Sequence, residues 1–268
     1  MKKLKKILFI TLWFGLIVGL LLTMGFVNKQ QDSLLCKNLD IKVNQDDEVY
    51  FLNKMDIAQL IKNRGDSIVG QPKSTVNVSE IEKALNSHED IAKAEVFMTI
   101  DGDMKVNVKQ RKPVLRIINS NDDSYYLDDT GKLMPLSGKY TARVIVANGN
   151  IQEPYSTHYM YTMEDIANDS IMKANSMLDE LFAMGTYINA NEFWKSQVQQ
   201  IYINKEKDME IVPLVGDQKI IFGDTTAMHE KFKKLMTFYT QGLNTTGWWD
   251  RYSTINLKFK NQIVCTKK

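Results

Sequence analysis

Two cysteines, five prolines and three histidines in 268 residues exclude several kinds of protein at once. Two thiols are too few for a disulfide framework, and Cys36 and Cys265 both sit in apolar, strand-like surroundings where a small buried hydrophobe fits. An oxidising compartment would permit them to bridge, and their pairing stays open. With so few prolines and no low-complexity tract, no long disordered linker divides the chain. His88, His158 and His229 stand far apart in sequence. There is no His-x-x-x-His pair, no Gly-x-Ser-x-Gly and no Gly-x-x-x-x-Gly-Lys, so the local signatures of a zinc helix, a nucleophile elbow and a phosphate loop are missing. The acidic runs Asp46-Asp47-Glu48 and Asp122-Asp123 lack the regular ligand spacing of a cation loop and read as acidic turns. The expectation is a chain that is not an enzyme, with no cofactor, metal or small-molecule substrate. An exported enzyme whose site converges from distant residues remains the alternative.

Charge is also scarce where it would matter for nucleic acid. The chain carries 34 Lys and Arg against 32 Asp and Glu. Setting aside Lys2, Lys3, Lys5 and Lys6 leaves 30 basic residues against 32 acidic ones, a net charge of −2 for the remainder. No basic excess is left to hold a phosphate backbone.

What the sequence does have is one long apolar run. Residues 7–27 contain no charged side chain over 21 positions, enough helix at ~1.5 Å per residue to cross a ~30 Å hydrocarbon core. Lysines crowd its N-terminal flank, whereas Lys29 is balanced by Asp32 beyond it, so the N-terminus is expected inside and the bulk outside. A cleaved signal peptide shares the basic start, but its apolar stretch is shorter, at most ~15 residues, and no small-x-small cleavage pattern follows Val27. Gly15 and Gly19 have small-xxx-small spacing and read as lipid-facing glycines.

Beyond the anchor the patterning predicts strand, helix, helix, strand, strand. Leu39, Ile41 and Val43 alternate as a strand does. Asn53 with Asp56 caps a helix carrying Ile57, Leu60 and Ile61, and Asn77 with Glu80, or Ser79 with Glu82, caps a second with Ile81, Ala84 and Leu85 on its face. Ala92, Ala94, Val96, Met98 and Ile100 alternate, Asp101-Gly102 supplies a tight turn, and Met104, Val106 and Val108 alternate again. Pro113 marks the boundary to a second module. That module is mostly strands: 114–118, 125–128, 132–136, 143–147, 198–204, 209–214 and 219–222, closing with 254–259 and 262–266. One helix, capped by Thr162 with Asp165, is expected to run on through Ile171, Ala174, Leu178, Leu181, Phe182 and Gly185. Another has Met228, Phe232, Leu235, Met236 and Tyr239 on one side, with Lys231, Lys233 and Lys234 towards solvent. Trp248, Trp249 and Tyr252 form an aromatic cluster after it.

Three stretches then carry a resemblance. Ile81-Glu82-Lys83-Ala84-Leu85, Ile91-Ala92-Lys93-Ala94-Glu95-Val96 and Lys105-Val106-Asn107-Val108-Lys109-Gln110-Arg111-Lys112-Pro113-Val114 resemble the FtsQ/DivIB family of bacterial cell-division proteins. In that family the last stretch reads Glu-Arg-x-Pro, and Gln110 here replaces the acid. The family's Trp-Pro before the second hairpin strand is replaced by Ile100-Asp101-Gly102. Tyr126-Leu127-Asp128-Asp129-Thr130-Gly131 resembles its D-x-x-G hairpin, and Ile255-Asn256-Leu257-Lys258-Phe259 its late strand.

The resemblance implies an α+β protein: a cytoplasmic tail (1–6), a transmembrane helix (7–27), a linker (28–34), a POTRA-like βααββ domain (35–112) and a β-rich domain with two or more helices (113–268). It implies a non-enzymatic scaffold in the cytoplasmic membrane, single-pass and concentrated at the septum, with its domains extracytoplasmic. The implied partners are FtsB- and FtsL-type proteins and other components of the division complex. The family's partner adds an extended segment beside the last strand, which makes Phe259, Asn261, Gln262, Ile263 and Val264 the expected partner contacts. A POTRA-bearing export or assembly component is the other reading from the same module.

Overall fold

The computed structural model describes residues 9, 12–20, 34–44, 49–63, 68–159 and 161–268. Residues 12–20 are helical and exposed. The four N-terminal lysines, most of 7–27, nearly all of the linker and the run Asp46-Asp47-Glu48 lie outside the described residues. The chain forms two units, Met1–Gln110 and Arg111–Lys268.

In the first unit the alternating apolar positions become β1 (Leu39–Asn44). Asn53 caps α1 (Lys54–Lys62) in a full capping box: its side chain accepts from Met55 and Asp56 N–H, and Asp56 accepts from Asn53 N–H. Asn77, not Ser79, caps α2 (Val78–Asn86) by accepting from Glu80 N–H. The hairpin β2 (Ile91–Met98) and β3 (Met104–Gln110) follows. The sheet order is β1-β3-β2, with β1 parallel and β2 antiparallel to β3. Ile57, Ile61 and Leu85 of the helices share the core with Val96, Met104, Val106 and Val108.

The hairpin departs from strict alternation at both ends. A register shift between Ile91 and Lys93 turns Ala92 to solvent, so Ile91 and Ala94 are the buried pair. A bulge of this kind inserts one unpaired residue and re-aims those beside it. The connection is residues 99–103 rather than a two-residue turn: Thr99 N–H donates to Asp103 O, Asp103 N–H donates to Thr99 Oγ1, and Ile100 is left 73 % exposed. Gln110 ends β3 buried. Its Oε1 accepts from Leu52 N–H at 2.8 Å and its Nε2 donates to Val49 O at 3.1 Å. A carboxylate could take the first bond but not give the second, which is a physical reason for the amide here.

The second unit opens with Pro113 as the first residue of β4 (Pro113–Ile118), followed by β5 (Ser124–Asp128), β6 (Leu133–Pro135) and β7 (Ile145–Gly149). Helices α3 (Tyr155–His158), α4 (Met163–Asn168), α5 (Ser170–Asn175), α6 (Leu178–Asn189) and α7 (Glu192–Gln197) come next. Then come β8 (Val198–Ile203), β9 (Met209–Pro213), β10 (Lys219–Gly223), α8 (Met228–Thr237), a π-helical turn over Phe238–Leu243, β11 (Tyr252–Asn256) and β12 (Val264–Lys267). The strands make one nine-stranded sheet, β12-β11-β10-β9-β8-β7-β4-β5-β6. Leu178, Leu181, Met184 and Ile188 of α6 bury against Leu115, Ile117, Ile201 and Ile211 of the sheet.

The single long helix expected from Thr162 onward is three helices. Thr162 and Asp165 do form the capping box. Asp169 is then extended, at φ −94° and ψ 114°, and ends α4. Before α6, buried Glu153 takes the Met177 N–H at 2.5 Å and Ser176 Oγ takes the Leu178 N–H at 3.1 Å. Side chains that capture backbone donors in this way compete with helix continuation. Helix α7 had no counterpart in the sequence reading; Asn191 caps it by accepting from Trp194 N–H.

Two of the family-like stretches meet in this unit. Arg111 Nε lies 3.3 Å from Asp128 Oδ2 and its Nη1 donates to Leu133 O at 3.0 Å. Asp128 Oδ1 accepts from Thr130 N–H, Thr130 Oγ1 and Lys132 N–H. Gly131 has φ +76°, and a Cβ there would lie 2.9 Å from Met163 Cγ, so the turn needs glycine for conformation and space alike.

Candidate partner-binding site

The sheet order places β12 at one end, hydrogen-bonded to β11 alone among the described strands. Backbone N–H and C=O groups on its far side are therefore open to an added strand. The opposite end is β6, three residues long with Pro135 in it, and a proline cannot donate to a further ladder.

Residues 257–263 connect β11 to β12. Leu257 is buried and donates its N–H to Ile221 O at 2.9 Å. Past it the chain leaves the sheet: Phe259 is 45 % exposed, Asn261, Gln262 and Val264 are exposed, and Ile263 is half-buried against the core. Lys234 of α8 holds the connection, its Nζ donating to Leu257 O at 3.1 Å and Phe259 O at 2.5 Å. Loss of water around this ammonium, with Lys231 nearby, lowers its pKa.

Lys231 is likewise no solvent-facing residue. It is 8 % exposed, donates to Asp224 O at 2.8 Å and Asp224 Oδ1 at 2.9 Å, and lies 5.1 Å from the Phe222 ring centroid. The bond from Lys231 holds the Asp224 carboxyl below its ordinary pKa. Only Lys233 of the three stands exposed as expected. The reason is reach: a lysine stem packs along apolar surface while its ammonium finds carbonyls at the strand ends. Lys258 similarly pairs with Asp208 at 2.5 Å.

Between α8 with its π-helical extension and residues 260–263 runs a groove of about 560 Å³, lined by Lys233, Lys234, Phe238, Gly242, Asn261 and Ile263 among others. A cleft of about 530 Å³ is lined in part by Lys231, Lys234, Lys258 and Phe259. The five expected contact residues thus fall together: Asn261, Gln262 and Ile263 on the groove, Phe259 on the cleft, Val264 opening the edge strand. The sequence reading missed the groove's other wall. Its one available signal was Gly242 four residues after Phe238, where the helix widens into its π-helical turn.

The histidines and the Asp122-Asp123 turn considered for chemistry bond to hydroxyls and backbone groups rather than to one another. His88 Nδ1 accepts from Asp90 N–H, His158 Nδ1 lies 2.8 Å from Thr157 Oγ1, and His229 Nδ1 lies 3.1 Å from Tyr187 Oη. Asp122 sits in a turn at φ 61°, and Asp123 accepts from Tyr155 N–H. Cys36 and Cys265 are free thiols, and burial pushes both pKa values up.

Residues 112–266 match the family model described as FtsQ/DivIB, C-terminal related. Residues 34–109 match a POTRA-like domain model. No curated protein matches the chain.

Proposed function

The chain belongs to the FtsQ/DivIB family, and from that premise we propose that it is a non-enzymatic, single-pass membrane scaffold of the bacterial division complex. It binds FtsB- and FtsL-type partners by strand addition along β12, with Phe259, Asn261, Gln262, Ile263 and Val264 in contact. The observation that carries this reading is the open edge: β12 ends the nine-stranded sheet and the five residues surround its entry. Main-chain pairing supplies affinity in this mode, and neighbouring pockets supply specificity. The groove beside Asn261 and Ile263 is such a pocket.

Membrane attachment rests on sequence. No helix among the described residues is long and apolar enough to cross a membrane, and residues 7–27 fall mostly outside them. The uncharged run of 21 residues after four lysines supports an N-in anchor with both folded units outside the cytoplasm, and the septal location is carried over from the family.

The test is capture of an FtsB-type partner by the full chain in detergent. Phe259→Ala combined with deletion of residues 262–268 should abolish capture while the remaining sheet keeps its cooperative melt. Undiminished capture by that variant would overturn the site. Depletion in cells should give filaments or arrested constriction, and unaltered division would overturn the scaffold.

A further inference from the structure

The three-stranded sheet of the first unit also ends in a strand, β2, but its edge is occupied. In the antiparallel β2–β3 ladder alternate residues of the edge strand turn their backbone groups outward, and Ala94 and Val96 are two of these, since their N–H groups go to side chains rather than to β3. Helix α2 meets them there. Asn86 Oδ1 accepts from Ala94 N–H at 2.8 Å and Asn86 Nδ2 donates to Ala94 O at 3.0 Å. Glu82 Oε2 accepts from Val96 N–H at 2.8 Å. Two side chains, one helical turn apart, thus take the place of a neighbouring strand. Exposed edges of this kind are what native sheets cover against unwanted pairing.

The strand beneath is suited to pair with itself. β2 has eight residues, and Lys93 and Glu95 flank Ala94 on the exposed face, with Phe97 exposed beyond them. A two-fold antiparallel pair centred on Ala94 keeps the outward-turned residues matched. It sets Lys93 of each copy opposite Glu95 of the other, the favourable cross-strand arrangement. We propose that Glu82 and Asn86 form an edge guard that closes β2 to a second copy of this chain.

The full chain in detergent provides the test. Glu82→Ala with Asn86→Ala should double the protein mass of the particle measured by light scattering. Adding Lys93→Glu, which opposes like charges in the centred register, should return it to the wild-type mass. Wild-type mass in the folded double variant would overturn the guard, and a dimer indifferent to Lys93→Glu would overturn the register. Hydrogen exchange on the unmutated chain gives a readout independent of whether the variants fold. The Ala94 and Val96 amides should exchange as slowly as the β3-bonded amides of Glu95 and Phe97, and rates at least about tenfold faster at both would overturn the guard.

Discussion

The two ends of the nine-stranded sheet are built differently. At the β4-β5-β6 end every conspicuous polar group is used. Arg111 meets buried Asp128, Asp128 gathers the turn of residues 129–132, and Tyr126 on the sheet's other face accepts from Ala142 N–H at 3.2 Å. At the β11-β12 end the last strand is four residues long with an unpaired flank, and the carbonyls of Leu257 and Phe259 before it are held by one lysine, Lys234. If β12 takes up a partner strand, as proposed, stability and recognition are separated on one sheet: the β4-β5-β6 end is then expected to hold it together, and the β12 end to tolerate change with little loss of fold.

Removing Asp128 is the harshest way to break that comparison. Asp128→Ala strands the Arg111 guanidinium, only 16 % exposed, and frees three donors, so unfolding should cost about 3–5 kcal/mol less, the range for breaking a buried pair from one side. A urea melt reads it directly. A loss under about 1 kcal/mol would mean this end is no tighter than an ordinary surface.

Gln110, the residue before Arg111, tests the same motif in the other unit. Gln110→Glu leaves Val49 O without its buried donor and brings a carboxylate into a buried site. A loss of about 1–3 kcal/mol is expected, with Gln110→Ala no better. A more stable Glu variant would show that the amide's donor function is not why this chain departs from the family's acid.

How far these features could be read in advance depended on sequence distance. The capping boxes of Asn53 with Asp56 and Thr162 with Asp165 close over three residues, and both were legible. So was the run of strands, since each is a short apolar stretch bounded by turn residues. The break before α6 was not, because Glu153 captures the Met177 N–H from 24 residues away. Nor was the burial of Lys231, which depends on Asp224 and the Phe222 ring being brought to the start of α8. In the candidate site the terminal strand and its five neighbours were visible as a pattern. The groove wall from α8 was not, since α8 reaches residues 260–263 only through the fold.

Acid sharpens the comparison at the open end. Lys231 lowers the pKa of Asp224, a mostly exposed carboxylate. A depressed folded-state value contributes stability above the unfolded value of about 3.9, lost as pH falls through the folded one. Lys231→Met should therefore flatten the acid slope of stability below about pH 4, while leaving the slope near neutrality unchanged. Identical slopes in both proteins would mean that the pair is screened out.

The smallest expected effect on stability is also the one that separates the two ends. Phe259 is half in solvent, and its carbonyl rather than its ring is what Lys234 holds. Phe259→Ala removes the ring and keeps that bond, so the melt should move by no more than about 0.5 kcal/mol. If β12 is where a partner strand joins, the same substitution should still weaken capture at least about tenfold, since an exposed aromatic at an interface is a common anchor. A melt shift comparable to that of Asp128→Ala would mean that the ring supports the sheet, and the division between a holding end and a binding end would fail.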